Sequence, residues 1–255
     1  MSVSPTPSTS PFDTLDPAPT SAASSSAVAE SASLMRFDVM DRTERVRSIV
    51  RRYGPNVLHD VEVLELHLAR AGQQEAGAAA DALIERFGGL AAVLAADSAE
   101  LRRHVVEEAV LHLKLARETA VRVAAAALPD RTLLTSSGAV EIYLKSLLAG
   151  LPREEFWVLF LDRRNQLLTS ERLGQGTVDH APVYPREVLR RALEVGASAL
   201  ILAHNHPSGD PTPSRQDLDM TKLVADGARA LGLNVWDHMI VGAGRVLSLK
   251  REGLM

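Results

Sequence analysis

The 255-residue chain has no cysteine. That excludes a disulfide framework and thiolate metal ligands, and leaves His, Asp and Glu as the only side chains able to hold an ion firmly. Aromatic residues are scarce, at 4% against an ordinary apolar fraction of 46%. No apolar run approaches the roughly 20 residues needed to cross a bilayer. The N-terminus lacks the basic, then apolar, then small-residue order of a secretion signal. Together these absences predict a soluble, cytoplasmic protein with no membrane partner. Basic excess is missing too: the net charge is -4, residues 38–130 carry 12 Lys/Arg against 15 Asp/Glu, and residues 131–255 carry 15 against 14. Affinity for nucleic acid is dominated by phosphate neutralisation, so indiscriminate binding to it is disfavoured.

What is present falls into three parts. Residues 1–37 are Ser, Thr, Pro and Ala with almost no apolar periodicity, too little to offset the entropy of ordering, which predicts a disordered tail. Residues 38–130 repeat apolar side chains at helical spacing. A helix starts at Asp41 and stops at Gly54-Pro55, and Asp60 is the expected cap of the next. Ala76 to Phe87 forms another, ended by Gly88-Gly89, and a short one runs from Leu90 to Ala95. Asp97-Ser98-Ala99-Glu100 reads as a cap, and Ala109 to Leu128 as a long helix before Pro129. This predicts a small all-helical domain.

Residues 131–255 mix periods. A helix is expected over Ala139 to Leu148, then a strand over Phe156 to Leu161, a turn at Asp162 to Asn165, a return over Gln166 to Thr169 and a third strand over Arg172 to Thr177. Tyr184-Pro185-Arg186 opens a helix ending at Gly196, and Ala199 to Ala203 reads as a buried strand. An amphipathic helix follows Asp217 as far as Leu231, and strands over Val235 to Val241 and Arg245 to Ser248 complete a sheet. The expected class is α/β, a mixed sheet flanked by helices and preceded by the helical domain.

The chemistry lies in His204-Asn205-His206-Pro207-Ser208-Gly209-Asp210-Pro211-Thr212-Pro213-Ser214-Arg215-Gln216-Asp217. On a strand, period-two geometry sends His204 and His206 to one side. The Gly and Pro residues turn the chain so that Asp217 can add an oxygen from the start of the next helix. Two His and one carboxylate make three protein ligands, the pattern of a catalytic zinc with a fourth position for water.

The His-x-His, seven residues, Ser, two residues, Asp spacing resembles the signature of the JAMM (MPN+) metalloproteases. Within them, the HNHPSGDPTPS wording is similar to the RadC family. Gly176-Thr177-Val178-Asp179-His180, Tyr184-Pro185-Arg186-Glu187 and Asp237-His238-Met239-Ile240-Val241-Gly242 carry the same resemblance, which is close from Leu133 onward. It implies a JAMM/MPN-like, cytidine-deaminase-like three-layer fold over residues 131–255, with zinc held by His204, His206 and Asp217 and a peptide or protein substrate cut at an amide or isopeptide bond. It also implies a glutamate base ahead of the first strand. The family wording Glu-x-Phe selects Glu154, with Glu155 as the alternative, since one residue of register moves a side chain to the other face. Ser214 is expected to donate a hydrogen bond to the oxyanion or the bound water.

The resemblance further implies a helix-hairpin-helix module in the helical region, matched by Phe87-Gly88-Gly89-Leu90 and by Asp97 to Leu101. Where the hairpin should be, Arg102 to Val110 contains no glycine, so the close backbone approach to a DNA phosphate is disfavoured and the module is degenerate. The rival readings are a DNA-repair or recombination module with a structural metal, and a nuclease suggested by the literal His-Asn-His string. Other groups receive ordinary roles: Asp210 as a turn residue, Asp219 solvated, His238 packing or bonding beside Asp237, and His59, His67, His104 and His112 on helix surfaces.

Overall fold

The computed structural model describes residues 41–126, 128, 137–176 and 183–255, so the expected tail over 1–37, Thr177 and His180 lie outside the described residues. The helical region contains α1 (Arg42–Tyr53), a 3-10 turn at Pro55–Val57, α2 (Asp60–Arg70), α3 (Ala76–Phe87), α4 (Leu90–Ala95), α5 (Ser98–Leu101) and α6 (Glu107–Ala126). Gly88 and Gly89 sit at φ 87° and 156°, a conformation that side-chain-bearing residues rarely adopt, and this separates α3 from α4 where expected. Asp97 caps α5 by accepting from the Ala99 amide at 2.7 Å. Two boundaries differ from expectation. Asp60 is the first helical residue rather than the cap, which is His59, its amide donating to the Glu62 carboxylate at 2.8 Å. The long helix begins at Glu107, because the two glutamates suit the positive first turn.

The remainder comprises α7 (Ser137–Leu148), β1 (Glu155–Leu161), β2 (Leu167–Gln175), α8 (Pro185–Glu194), β3 (Ala199–Asn205), α9 (Arg215–Ala230), β4 (Asn234–Val241) and β5 (Val246–Ser248). The strands form one mixed sheet in the order β2-β1-β3-β4-β5, in which only β3 and β4 run parallel. Parallel neighbours need a long crossover, and α9 provides it. The separate third strand expected over Arg172 to Thr177 is not formed. Instead β2 is one edge strand through Ser170 and Glu171, with register shifts against β1 where Leu173 and Leu168 are inserted. Its polar residues suit an edge, and Glu171 pairs with Arg191 of α8 at 2.7 Å.

Three layers result. Phe156, Val158, Phe160, Leu200 and Leu202 pack beneath α8 and α9 through Val188, Ala192, Val224 and Ala228. On the other face Leu159, Leu161, Ile201, Ala203, Met239 and Val241 meet α7 through Leu144 and Leu148. Strand β3 is buried at every position, which explains its unbroken apolar run. Each large aliphatic side chain so enclosed contributes about 1.5–3 kcal/mol. Helix α6 serves both regions: Ala109, Val110 and Leu113 enter the helical core, while Val121, Ala124 and Ala125 join the back of the sheet. No helix among the described residues is long and apolar enough to cross a membrane.

Candidate metal centre

The C-terminal end of β3 and the N-terminal end of β1 share one sheet edge, because the two strands are antiparallel and Phe156 pairs with His204. Continuing that register places residue 154 opposite residue 206. His206 follows the last strand residue, its amide donating to the Val241 carbonyl at 3.0 Å, so strand geometry persists long enough to aim both imidazoles the same way. Their Nε2 atoms lie 2.9 Å apart, and Asp217 approaches His204 Nε2 at 3.2 Å and His206 Nε2 at 3.6 Å. Donors bound to a tetrahedral zinc at 2.0–2.1 Å stand about 3.3 Å from one another. The observed spacings straddle that value.

The hydrogen-bond network decides where the protons lie. The carbonyl of Asp217 can only accept, so the Thr221 hydroxyl donates to it at 2.6 Å. Having one proton, that hydroxyl must accept from His238 Nδ1 at 2.5 Å, which leaves His238 Nε2 bare to accept from His204 Nδ1 at 2.8 Å. Likewise the Asp210 carbonyl accepts from His206 Nδ1 at 2.7 Å. With both imidazoles neutral, each would point a lone pair from Nε2 at the other. Two bare nitrogens and a carboxylate facing one another repel unless a cation or a proton lies among them, and this donor set is one that a metal ion fits.

Without an ion, a proton on Nε2 takes its place beside Asp217. Burial would raise the Asp217 carboxyl, but hydrogen bonds from His204 and His206 outweigh it and hold the group far below the carboxylate range. Asp217 also lies in the first turn of α9, where the helix dipole favours negative charge. The same carboxylate raises His206 above the usual imidazole value, against the opposing effect of burial. His238 is fully enclosed, and burial, reinforced by His204, holds it well below the ordinary value, which keeps it neutral.

Ser214 caps α9. Its hydroxyl donates to Asp217 Oδ2 at 2.6 Å and its oxygen accepts from the Asp217 amide at 3.2 Å. The hydroxyl expected to serve an oxyanion therefore rests on the Asp217 carboxylate. Glu154 and Glu155 separate cleanly. Glu155 turns to the far face, accepting from Trp157 Nε1 at 2.9 Å and Arg172 Nη1 at 2.8 Å. Glu154 lines the cavity that Asp217 also lines, and its charge reaches His206. Asn205, lying between the two histidines, faces away from both. Its Oδ1 accepts from the Glu155 amide at 2.9 Å, and its Nδ2 donates to the Arg153 carbonyl at 3.0 Å. It ties the segment bearing Glu154 to the strand bearing His204.

The loop after His206 is fixed by two glycines. Gly209 adopts φ 85°, and a Cβ at Gly242 would come within 2.4 Å of the Gly209 carbonyl oxygen. That contact lets the Ala243 amide donate to Gly209 at 2.9 Å. Asp210 is a turn residue as expected, its side chain accepting from the Thr212 amide at 3.0 Å, and its backbone carbonyl is the part that orients His206. Asp219 is exposed and pairs with Arg215 at 3.2 Å. His59 and His104 are exposed; His67 and His112 are half-buried rather than on the surface.

Sequence reasoning missed Thr221, Asn205 and the partner of His238, which does more than bond beside Asp237. For Asn205 a signal existed, since alternation sends the middle residue of His-x-His into the interior, where an amide needs partners. For Thr221 and His238 there was none, because only the β3–β4 pairing brings His238 to His204, and only the packing of α9 on the sheet brings Thr221 to His238.

Residues 134–254 match the family described as RadC-like JAB domain. A UPF0758 protein of Rhodobacter capsulatus is 47% identical over 205 residues, 79% of this chain and 96% of that protein. A UPF0758 protein of Ruegeria pomeroyi is 42% identical over 220 residues, 85% of this chain and 98% of its own length.

Proposed function

The chain belongs to the RadC family, with a JAB/MPN-type α/β domain behind an N-terminal helical region, and on that premise we propose that it is a zinc-dependent hydrolase of peptide or isopeptide bonds. The observation that carries this reading is the convergence of His204, His206 and Asp217 with bare donor atoms aimed at one point. Three N/O ligands without cysteine leave a position open, as hydrolytic zinc sites do and closed structural sites do not. Bound zinc would polarise the scissile carbonyl and bring the pKa of a water towards neutrality, about 7 in favourable sites.

The chain's own groups do the rest. Glu154 is assigned as the base that takes the water's proton and returns it to the leaving amine. Its buried position beside Asp217 and the commitment of Glu155 to Trp157 and Arg172 support that choice. Ser214 is assigned as the donor to the oxyanion. Its hydroxyl lies on Asp217, and rotation about the Cβ–Oγ bond re-aims the proton while the oxygen stays in place as the α9 cap. His238, Thr221 and the Asp210 carbonyl hold both imidazoles in the ligating tautomer.

The rival nucleic-acid reading has weaker support. At the segment where a hairpin would meet phosphate, Arg102 pairs with Glu107 at 2.6 Å and Arg103 with Glu100 at 2.6 Å, so both cations already have carboxylate partners. To test the assignment, zinc content and cleavage of a proteome-derived peptide library are compared for wild type and Glu154→Gln. The expected result is about one zinc per chain in both and cleavage in wild type alone. Full cleavage by Glu154→Gln, or DNA binding that weakens steeply with salt and no cleavage by wild type, overturns it.

A further inference from the structure

We propose that a recess beside the metal ligands receives one large apolar side chain of the substrate, next to the bond that is cut. This rests on the reading of the site as a peptide- or isopeptide-cleaving centre and names the substrate feature that centre selects. The recess has a volume of about 300 Å³, and its walls include Phe156, Val183, Pro185, Met220 and Leu223. That size is at the lower end of ligand-binding cavities, roughly 300–1,000 Å³.

Its position follows from one face of α9. Gln216, Met220 and Leu223 recur at helical spacing, and Asp217 adjoins them, so the helix that delivers a metal ligand also delivers an apolar wall. Phe156 closes the floor, being buried and stacked at 6.2 Å on His204. Glu154 and Asp217 both line the recess, so a side chain seated there belongs to a residue adjoining the reacting bond. Leu223 is 62% exposed despite its apolar neighbours, which leaves it able to bury area against a bound chain. Acidic side chains are excluded, since Glu154, Asp217 and Asp219 would all oppose them.

A second, larger cleft of about 640 Å³ lies on the His206 side, between Pro207–Gly209 and the α3–α4 turn. It has room for the rest of an extended chain. Its lining includes Arg86, Asp97 and Glu100.

The test uses the zinc-loaded full chain and a proteome-derived peptide library, with cleavage sites read by mass spectrometry. One subsite should favour Leu, Met or Phe over Gly or Asp by roughly 10–200-fold, the discrimination a hydrophobic pocket supplies. Leu223→Asp, at an exposed position, should keep its zinc and flatten the preference, while Leu223→Phe should shift it to smaller side chains. In parallel the library is passed over immobilised, zinc-loaded Glu154→Gln protein, which should retain the same apolar peptides. Cleavage with no apolar preference, a Lys or Arg preference, or a preference untouched in Leu223→Asp overturns the recess while leaving the hydrolase reading intact. Absence of cleavage with apolar retention on the resin supports the recess and overturns the hydrolase reading instead. Neither cleavage nor apolar retention overturns both.

Discussion

In the helical region the interior is aliphatic, with Leu64, Leu68, Leu83, Leu101 and Leu113 enclosed, and charge lies mostly at the periphery in ion pairs such as Arg86–Glu100 and Arg102–Glu107. Among the described residues its one fully buried carboxylate, Glu65, is clamped by Arg42 at 2.9 Å and Thr43 at 2.7 Å, which fastens α1 to α2. At the sheet edge the interior is polar. His204, Asn205, Thr221 and His238 are all buried; His204, His238 and Thr221 are bonded into one chain that ends on the Asp217 carbonyl, and Asn205 is bonded separately to the segment before β1. Burying such groups stabilises nothing by itself and is costly when any link is missing. The helical region uses its interior for stability, and the sheet edge uses it to fix tautomers and aim lone pairs.

Substitutions in the two regions should therefore separate stability from metal affinity. The largest expected effect is at Glu154. Glu154→Gln should lower kcat by about 10²–10⁴-fold, the usual worth of a general base, with zinc affinity little changed by calorimetry. Next, Leu113→Ala in the helical core should cost about 2–5 kcal/mol in denaturant titration and leave zinc affinity alone. His238→Ala should weaken zinc binding as well as stability. It removes the acceptor for His204 Nδ1, and zinc should bind about 10–100-fold more weakly. Thr221→Val should have a smaller effect in the same direction, about 10-fold, because the neighbouring groups lose one link of the relay. If Leu113→Ala weakened zinc as much as His238→Ala, the contrast between the regions would be wrong.

The smallest effect concerns pH. Without metal, His206 is raised by Asp217, so its proton stabilises the fold below the unfolded imidazole value of about 6.5, and that contribution is lost as pH rises through the higher folded value. Zinc needs Nε2 bare. The rise in Tm on adding zinc should therefore grow between about pH 6 and pH 8, by differential scanning calorimetry with and without the ion. A shift that shrinks with rising pH would mean that His206 is no ligand.

These contrasts also show what could be read from the chain. The convergence of His204, His206 and Asp217 was legible because a strand, a Gly/Pro turn and a helix start each impose a fixed spacing. The α3 and α4 limits were legible because Gly88-Gly89 punctuates them. Strand β2 was misread as two pieces, since Ser170 and Glu171 carry no apolar alternation on an edge, where pairing with β1 rather than burial holds the strand. The orienting network was hidden because its bonds join residues distant in sequence, and the Asp210 contribution comes from a backbone carbonyl, which no residue type announces. Which of Glu154 and Glu155 faces the histidines is a single step of register, which the pairing of Phe156 with His204 provides.

The most direct test of the central claim is cobalt substitution of the metal-free protein, read by the visible absorption of the bound ion and its stoichiometry. The account predicts about one Co²⁺ per chain with the intense bands of a four-coordinate N/O site in wild type and Glu154→Gln, and no such ion in His204→Ala, His206→Ala or Asp217→Ala. Stoichiometric, four-coordinate cobalt retained in His206→Ala and Asp217→Ala would contradict it.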